Sequence, residues 1–372
     1  MRMLTRMLAG CGLAAAALTG VVLAAPGCSN NGSTNTTDLA VASPDLAVGS
    51  DGGSLFPDLG GPLADLYGSA VVRLNGGFAQ PFGAFFDATS NAWYVSNVAG
   101  DLSNFQNLKD GRGWITKISA DYQTVDHNFF ATGLNSPAGL RIANGKIYVP
   151  DVDQLVVIDI AARTAVRSAT VTPAIPFVPY VAITDVVVDG TGVAYAPETV
   201  GNRILKFANP TAAGSSYTAY FPSGVSFPTT VYIDGTKLVV GTTGNPMTAG
   251  STGSLFTMNL ADGTGVMKLG SFAANFQGLE KDGNNYLVGN TRGHALYQVA
   301  QVGGAQTLSR DFAAEGVASI EDFGWDAASR TLAERQRSTI SCRKLSAAGT
   351  PAPDRINRQA SLPWSMTSVI DA

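Results

Sequence analysis

Eight acidic or amide side chains stand where strands of a predicted sheet begin or end. They are Asn97, Asp151, Asp153, Asp185, Glu198, Asn290, Glu321 and Asp322. Carboxylate and amide oxygens that converge from several strands can coordinate a hard cation such as Ca²⁺, or they can orient a polar ligand. Short polar loops also place such residues in solvent, where they cap strand ends and bind nothing. The residue types leave both interpretations open.

Several familiar catalytic patterns are missing from the sequence. His127 and His294 are the only histidines, so a three-histidine zinc site is excluded and a histidine-based triad has few choices. No Gly-x-Ser-x-Gly segment occurs. The stretch from Gly139 to Lys146 lacks the spacing and the following helix of a phosphate-binding loop. Cys342 lies in a predicted strand, and we interpret it as a small core residue.

The elements that position these residues are short strands. Between Pro137 and Val171, runs of four to seven residues rich in Val, Ile and Tyr are separated by turn residues, which is typical of strands. Asn144-Gly145, between the first two runs, is a strong signal for a two-residue hairpin turn, because both turn positions need positive φ. The stretch predicts one four-stranded antiparallel sheet.

Variants of this unit recur with a period of 44 to 56 residues. The first strands are predicted at 81–87, 137–142, 183–189, 228–234, 276–282 and 320–326. Several strands are apolar throughout, as in sheets that are buried on both faces. Four-stranded units at this period predict an all-β fold, a six-bladed β-propeller over residues 69–345. Segment 69–74 has no blade of its own, so we expect it to pair in the last blade and close the ring.

The chain resembles the gluconolactonase-like six-bladed propellers and their NHL-like and strictosidine-synthase-like relatives. The resemblance covers roughly three quarters of the chain by this repeat pattern. It rests on Asn135-Ser-Pro-Ala-Gly-Leu140 with Ile147-Tyr-Val-Pro-Asp151, and on Gly278-Leu-Glu-Lys-Asp-Gly283 with Tyr286-Leu-Val288. It implies the fold more than a reaction, because one propeller fold hosts hydrolases, isomerases and binding modules.

The resemblance also implies where a calcium site would lie. Lactonases of this group begin their inner strands with Glu, Asn and Asp ligands, and the matching positions here are Phe82, Thr184, Thr229 and Gln277. None of the four is a carboxylate, whereas Asp185 retains the acidic half of an Asn-Asp pair. Calcium is therefore the candidate cofactor, and its candidate ligands are Asp151, Asp185 and Glu198.

The first 27 residues are predicted to be a signal peptide. Arg2 and Arg6 precede an uncharged stretch from Met7 to Gly27, as in a secretory signal. The run Ala25-Pro26-Gly27-Cys28 resembles a bacterial lipobox, which implies lipidation of Cys28 and attachment to the cell envelope, at the outer membrane or facing the periplasm. An uncleaved anchor helix is the alternative, since 21 uncharged residues can just span a bilayer.

Residues 28–68 are predicted to be a low-complexity tether, because their polar residues and repeated Asp-Leu pairs form no pattern that would bury a core. Segment 346–372 receives no assignment. With 24 basic and 28 acidic side chains, the chain has a formal charge of −4 and is a poor match for nucleic acid. We expect a monomer that reaches the membrane through its lipid anchor.

The sequence thus predicts a binding propeller in preference to an enzyme. The expected site is the channel mouth, and its candidate ligand-binding residues are Asn97, Asp151, Asp185, Glu198, Gln277, Asn290 and Glu321. The ligand would be a small molecule or another component of the envelope. The alternative is a lactone or ester hydrolase with a rearranged divalent-metal site.

Cys28→Ala should release the protein from membranes, because the substitution removes the thiol that would carry the lipid. Metabolic labelling with a radioactive fatty acid should mark the wild type and leave this variant unlabelled. Cys11→Ala is the matched control, since Cys11 precedes the apolar stretch, and it should label normally. Unchanged labelling of Cys28→Ala would contradict the lipoprotein prediction.

Overall fold

The computed structural model describes residues 71–344 except 100–107, 176–179, 246–247, 249, 273, 292, 314–316, 318–319 and 337–338. In these ranges twenty-four strands form six antiparallel sheets of four strands each. The prediction of a six-bladed β-propeller is confirmed. The predicted signal peptide and tether, including Cys28, lie outside the described residues, as does segment 346–372.

Blades 1 to 3 follow the chain as simple meanders. Blade 1 contains β2 (Pro81–Asp87), β3 (Ala92–Asn97), β4 (Gly113–Ser119) and β5 (Val125–Leu134). Blade 2 contains β6 (Arg141–Ala143), β7 (Lys146–Asp151), β8 (Gln154–Asp159) and β9 (Thr164–Arg167). Blade 3 contains β10 (Val187–Val188), β11 (Ala194–Glu198), β12 (Arg203–Phe207) and β13 (Thr218–Tyr220).

Blades 4 and 5 are built in the same way, and blade 6 combines both ends of the described chain. Blade 4 contains β14 (Pro228–Asp234), β15 (Lys237–Thr242), β16 (Ser254–Asn259) and β17 (Met267–Ser271). Blade 5 contains β18 (Phe276–Asp282), β19 (Asn285–Asn290), β20 (Ala295–Ala300) and β21 (Gln306–Asp311). Blade 6 contains β22 (Phe323–Asp326), β23 (Thr331–Gln336), β24 (Thr339–Lys344) and β1 (Val71–Asn75).

The ring closes as predicted, by pairing β1 with the last blade. Val72 lies opposite Cys342, and Leu74 lies opposite Ile340. A strand from the N-terminal side thereby completes a sheet whose other strands come from the C-terminal side. This pairing covers the edge that β24 would otherwise expose. Cys342 is buried in this sheet as a free thiol, in agreement with its predicted core role.

Local turn chemistry also follows the sequence. Asn144 and Gly145 adopt φ values of 51° and 70°, and they join Ala143 to Lys146 in the register of a two-residue hairpin. Alternate side chains of β7 then pack in opposite directions: Ile147 and Val149 face blade 1, whereas Tyr148 faces blade 3. Burial on both faces explains why the strand is apolar throughout.

The apolar core lies between the blades. Each of the six interfaces between neighbouring blades holds its own cluster of buried apolar side chains among the described residues. The first strand of each blade contacts the first strands of both neighbouring blades, so these six inner strands surround the axis of the ring. Residues at the start of the inner strands therefore share one end of a central channel, which we call the mouth.

Three inner strands are shorter than predicted. β6, β10 and β22 begin three or four residues later than expected. Upstream of two of them only single bridges remain, from Pro137 to Asp151 and from Ile183 to Glu198. The backbone between leaves the ladder because it bonds elsewhere: the Gly139 N–H donates to the carbonyl of Thr184, in the next blade, at 3.0 Å.

The charged sequence near 334–343 conflicts with a buried strand, and an ion pair resolves the conflict. Glu334 of β23 accepts a hydrogen bond from Nε of Arg343 in β24 at 2.6 Å, and both side chains are buried. The guanidinium of Arg343 also lies 5.2 Å from the ring centroid of Phe312.

No helix within the described ranges has the length and apolar character to cross a bilayer.

Candidate functional site

Four predicted site residues end the second strand of their blade and turn back onto the backbone. They are Asn97, Asp151, Glu198 and Asn290, in blades 1, 2, 3 and 5. In each case a side-chain oxygen accepts the N–H of a residue that precedes the inner strand of the same blade, respectively Ala79 at 3.3 Å, Asn135 at 2.9 Å, Ala182 at 3.4 Å and Asn275 at 3.2 Å. The repeated contact holds each connection between blades against the second strand.

The oxygens of Asp151 and Glu198 are well occupied by the protein itself. Asp151 accepts the N–H groups of Asn135 and Ser136, the Asn135 amide at 3.0 Å and Nη1 of Arg167 at 3.1 Å. A carboxylate offers about four lone-pair sites, so these donors fill them. Glu198 likewise accepts from the Gly201 N–H at 3.1 Å and from Nε of Arg203 at 2.9 Å, besides Ala182.

The candidate calcium ligands Asp151, Asp185 and Glu198 do not come together. In the part of the chain that the structure describes, no three His, Cys, Asp or Glu side chains are placed to hold a metal ion. Asp151 and Glu198 are instead paired with Arg167 and Arg203. Calcium binding stays a prediction for experiment.

A salt bridge crosses the axis of the ring. Arg141 begins the short β6 of blade 2, and its Nη1 pairs with Oε1 of Glu280 in β18 of blade 5. In a ring of six, blades 2 and 5 are opposite, so the ion pair spans the channel. Nη2 donates to the carbonyl of Leu279 at 3.1 Å, and the guanidinium lies 5.2 Å from the ring centroid of Phe85, within range of a cation–π contact.

Two further carboxyl groups reach the same place from blades 3 and 6. A Cβ atom on Gly139 would lie 2.7 Å from Oδ2 of Asp322 and 2.8 Å from Oδ1 of Asp185. A Cβ atom on Gly83 would lie 2.5 Å from the same oxygen of Asp322. The two glycines thus leave the room that these carboxyl groups occupy. We call Arg141, Asp185, Glu280 and Asp322 the axial cluster.

The axial cluster holds three acids and one guanidinium away from water. Burial raises the pKa of Asp185 and of Glu280, and the charge of Arg141 partly opposes both shifts. Burial on its own would lower the pKa of Arg141, but the three carboxyl groups, led by Glu280, raise it, so the guanidinium stays charged.

Asp322 is the acid that is most strongly disposed to keep its proton. Burial, followed by repulsion from Asp185, raises its pKa well above the ordinary value of 3.8. Its Oδ1 accepts one N–H, from Phe323 at 3.1 Å. Asp185 by contrast accepts from Val186, Thr230 and Val231 at 2.7 to 3.0 Å, and such bonds favour its charged form.

Above the axial cluster, toward the mouth, six residues occupy equivalent positions, three at the start of their inner strand and three just before it. We call them the mouth ring: Phe82, Ala138, Thr184, Thr229, Gln277 and Glu321, in blades 1 to 6 in that order. Phe82 and Ala138 pack with Val98 in a small apolar cluster. The other four members are polar and buried. The ring is therefore apolar on one side and polar on the other.

The polar members of the mouth ring differ in how they are bonded. The hydroxyl of Thr184 donates to the carbonyl of Thr229 at 2.8 Å, and that of Thr229 donates to the carbonyl of Phe276. Each of these hydroxyls thus bonds to the inner strand of the following blade. Gln277 differs, because neither its Oε1 nor its Nε2 has a hydrogen-bond partner among the described residues, although the side chain is only 1% exposed.

The predicted residues therefore fall into two groups. Asp185, Gln277 and Glu321 lie at or just before the start of their inner strands, whereas Asn97, Asp151, Glu198 and Asn290 bind the connections between blades. Sequence reasoning missed Arg141 and Glu280. In blade 2 the available signal was one charged residue between apolar neighbours, Leu140-Arg141-Ile142. Blade 5 offered no such signal, because Lys281 and Asp282 follow Glu280 directly.

Comparison with known proteins supports the fold. Neither a protein-family model nor a curated protein sequence matches the chain. A solved structure described as a candidate gluconolactonase is 12% identical, with a TM-score of 0.51, over 74% of this chain and 92% of that one. A luciferin-regenerating enzyme is 9% identical, with a TM-score of 0.51, over 74% and 95%. At such identities the likeness supports a shared six-bladed β-propeller fold alone.

Asp322→Asn should flatten the dependence of stability on pH. Because the folded-state pKa of Asp322 is raised, its contribution to stability is fully present below about 3.8 and is lost as pH rises through the folded-state value. The asparagine variant lacks this loss, so its free energy of unfolding should gain on the wild type by up to about 1.4 kcal/mol per pH unit across that window.

This difference is measured by urea unfolding at a series of pH values from about 4 to 9. Asp110→Asn is the control, because Asp110 is exposed and accepts a bond within its own turn. Parallel curves for the wild type and Asp322→Asn would show that the buried carboxyl group does not titrate in this window.

Proposed function

We propose that this chain is a lipid-anchored, extracytoplasmic propeller that binds a small, uncharged molecule at the mouth ring. The observation that carries the proposal is the two-sided ring, with Phe82 and Ala138 on one side and Thr184, Thr229, Gln277 and Glu321 on the other. Ligand sites in proteins typically combine an apolar wall with a few positioned polar groups. The ring supplies both within one end of a channel.

The axial cluster supports this proposal by forming a floor. The bridge from Arg141 to Glu280 crosses the channel below the mouth ring. Each of the two residues follows the mouth-ring residue of its own blade by three positions. A ligand that enters at the mouth would therefore meet a closed, polar base. Because Asp322 is disposed to keep its proton, the charged groups of the base are Asp185, Glu280 and one guanidinium. Their net charge is negative, so the base disfavours anions in a medium that screens poorly.

The positions of the two histidines and of Cys342 favour binding over catalysis by a histidine or a thiol. His127 packs edge-on against Phe78, with ring centroids 5.3 Å apart, and His294 pairs with Asp311 at 2.6 Å on the exposed part of blade 5. Cys342 is buried in blade 6, and burial raises the pKa of its thiol to about 12. None of these groups belongs to the mouth ring or the axial cluster.

A lactone or ester hydrolase is the second candidate, and one observation favours it. Asp322 and Asp185 approach each other at Gly139, and a carboxyl group that keeps its proton can act as a general acid beside an ionised partner. Hydrolysis of lactones and esters, assayed with and without calcium, tests this candidate. Turnover that is lost in Asp322→Asn would support it, and the absence of turnover in the wild type would contradict it.

The proposed location and partner rest on the N-terminal sequence. We propose attachment to the bacterial envelope through lipidated Cys28, with residues 28–68 as the tether. A small molecule of the periplasm or another envelope component would then reach the mouth by diffusion. The propeller itself is proposed to act as a monomer.

Phe82→Ala should weaken ligand retention at least about tenfold, because an aromatic side chain buried against a ligand contributes about 1.5 to 3 kcal/mol. Purified protein is incubated with a small-molecule extract of the envelope, and retained compounds are identified by mass spectrometry. Ala138→Phe, which fills the apolar side, should abolish retention of the same compounds.

Val302→Ala is the matched control, since Val302 is 90% exposed in the turn between β20 and β21. It should retain ligands like the wild type. Thermal unfolding verifies that each variant is folded. A wild type that retains no compound, or retention unchanged in both Phe82→Ala and Ala138→Phe, would overturn a binding site at the mouth ring.

A further inference from the structure

Two buried polar side chains of blade 5, Gln277 and Thr291, are unsatisfied. Oε1 and Nε2 of Gln277 and Oγ1 of Thr291 have no hydrogen-bond partner among the described residues, and the two side chains are 1% and 8% exposed. Thr291 directly follows the second strand, as Thr199 does in blade 3. In blade 3, Thr184 takes the position of Gln277 and Thr199 that of Thr291, and the two threonine hydroxyls lie 3.3 Å apart.

In blades 3 and 4 the buried hydroxyls at these positions donate to the following blade, whereas the equivalent side chains of blade 5 do not. Thr199 donates to the carbonyl of Pro228 at 2.7 Å, and Thr184 and Thr229 also donate to the following blade. Gln277 and Thr291 make no such bond. A buried polar group without a partner costs about 1 to 3 kcal/mol. An occupant that supplies both a donor and an acceptor would recover that free energy.

We propose that Gln277 recognises a ligand that carries an N–H and a carbonyl side by side, as a cyclic amide (lactam) does. This inference rests on the proposed function of the mouth ring and names its ligand class. A carboxamide offers an acceptor oxygen and a donor nitrogen along one edge. A lactam presents the complementary pair along its own edge, because its ring holds the amide cis. Two hydrogen bonds then form between the edges.

The rest of the ring fits the same class. Ala138, in blade 2, is opposite Gln277 in a ring of six, and Phe82 and Val98 pack beside it. The hydrocarbon part of a lactam would face these apolar side chains. The net negative charge of Asp185, Glu280 and Arg141 below the ring disfavours a carboxylate, whereas an uncharged lactam meets no repulsion.

Three small probes of similar size separate the contributions. δ-Valerolactam carries the donor and the acceptor, N-methyl-δ-valerolactam lacks the donor, and valerate carries a negative charge. Ligand-observed NMR titration of the full chain gives a dissociation constant for each probe. The wild type should bind δ-valerolactam about tenfold more tightly than the N-methyl compound, since one buried acceptor is then left unpaired, and it should not bind valerate.

Gln277→Met tests the residue with nearly unchanged side-chain volume. It should remove the preference for δ-valerolactam over its N-methyl derivative, and it should raise the melting temperature, because it removes a buried unpartnered amide. Gln298→Met is the matched control on β20 of the same blade, and it should keep the preference.

The outcomes distinguish this inference from the function on which it rests. Equal binding of the two lactams by the wild type, or a preference that survives in Gln277→Met, would overturn recognition by Gln277 while leaving a mouth-ring ligand intact. Binding of neither lactam by the wild type would overturn the inference as well. Loss of retention by the mouth-ring variants is scored in a separate experiment.

Discussion

The ion pair between Arg141 and Glu280 is the contact on which the centre of this propeller depends. It joins blades 2 and 5, which are opposite each other, across the axis of the ring. Two buried charges are stabilising only when each is well paired. The carbonyl of Leu279 and the ring of Phe85 complete the surroundings of the guanidinium. Gly83 and Gly139 have no side chain there, and their absence of Cβ atoms admits the carboxyl group of Asp322.

Two kinds of contact recur from blade to blade around this centre. Apolar clusters between neighbouring blades bury both faces of each sheet. Amide or carboxylate oxygens at the ends of second strands bind the backbone that leads into the inner strand. Together these contacts hold the starts of the inner strands close to the axis. The mouth ring is the consequence, and two of its members, Thr184 and Thr229, also bond to the backbone of the following blade.

The sequence predicted the scaffold well because the scaffold is made of local patterns. The period of the strands, the turn at Asn144-Gly145 and the unpaired segment that became β1 are each visible within short windows. It predicted less of the site, because the site is made of distant partners. Arg141 and Glu280 are 139 residues apart, so no local pattern pairs them. Asp151 stands at a position that a metal site would also use, and only the structure shows that Arg167 and two backbone N–H groups already occupy its oxygens.

A double-mutant cycle on the axial ion pair tests the central claim most directly. Arg141→Met and Glu280→Met are made singly and together, and the free energy of unfolding is measured in urea. Each single change leaves a buried charge without its partner, so each should destabilise the fold by about 3 to 5 kcal/mol. The double variant should be much more stable than the sum of the two losses predicts. Strictly additive losses would contradict a direct pair across the axis, and with it the closed floor beneath the mouth ring.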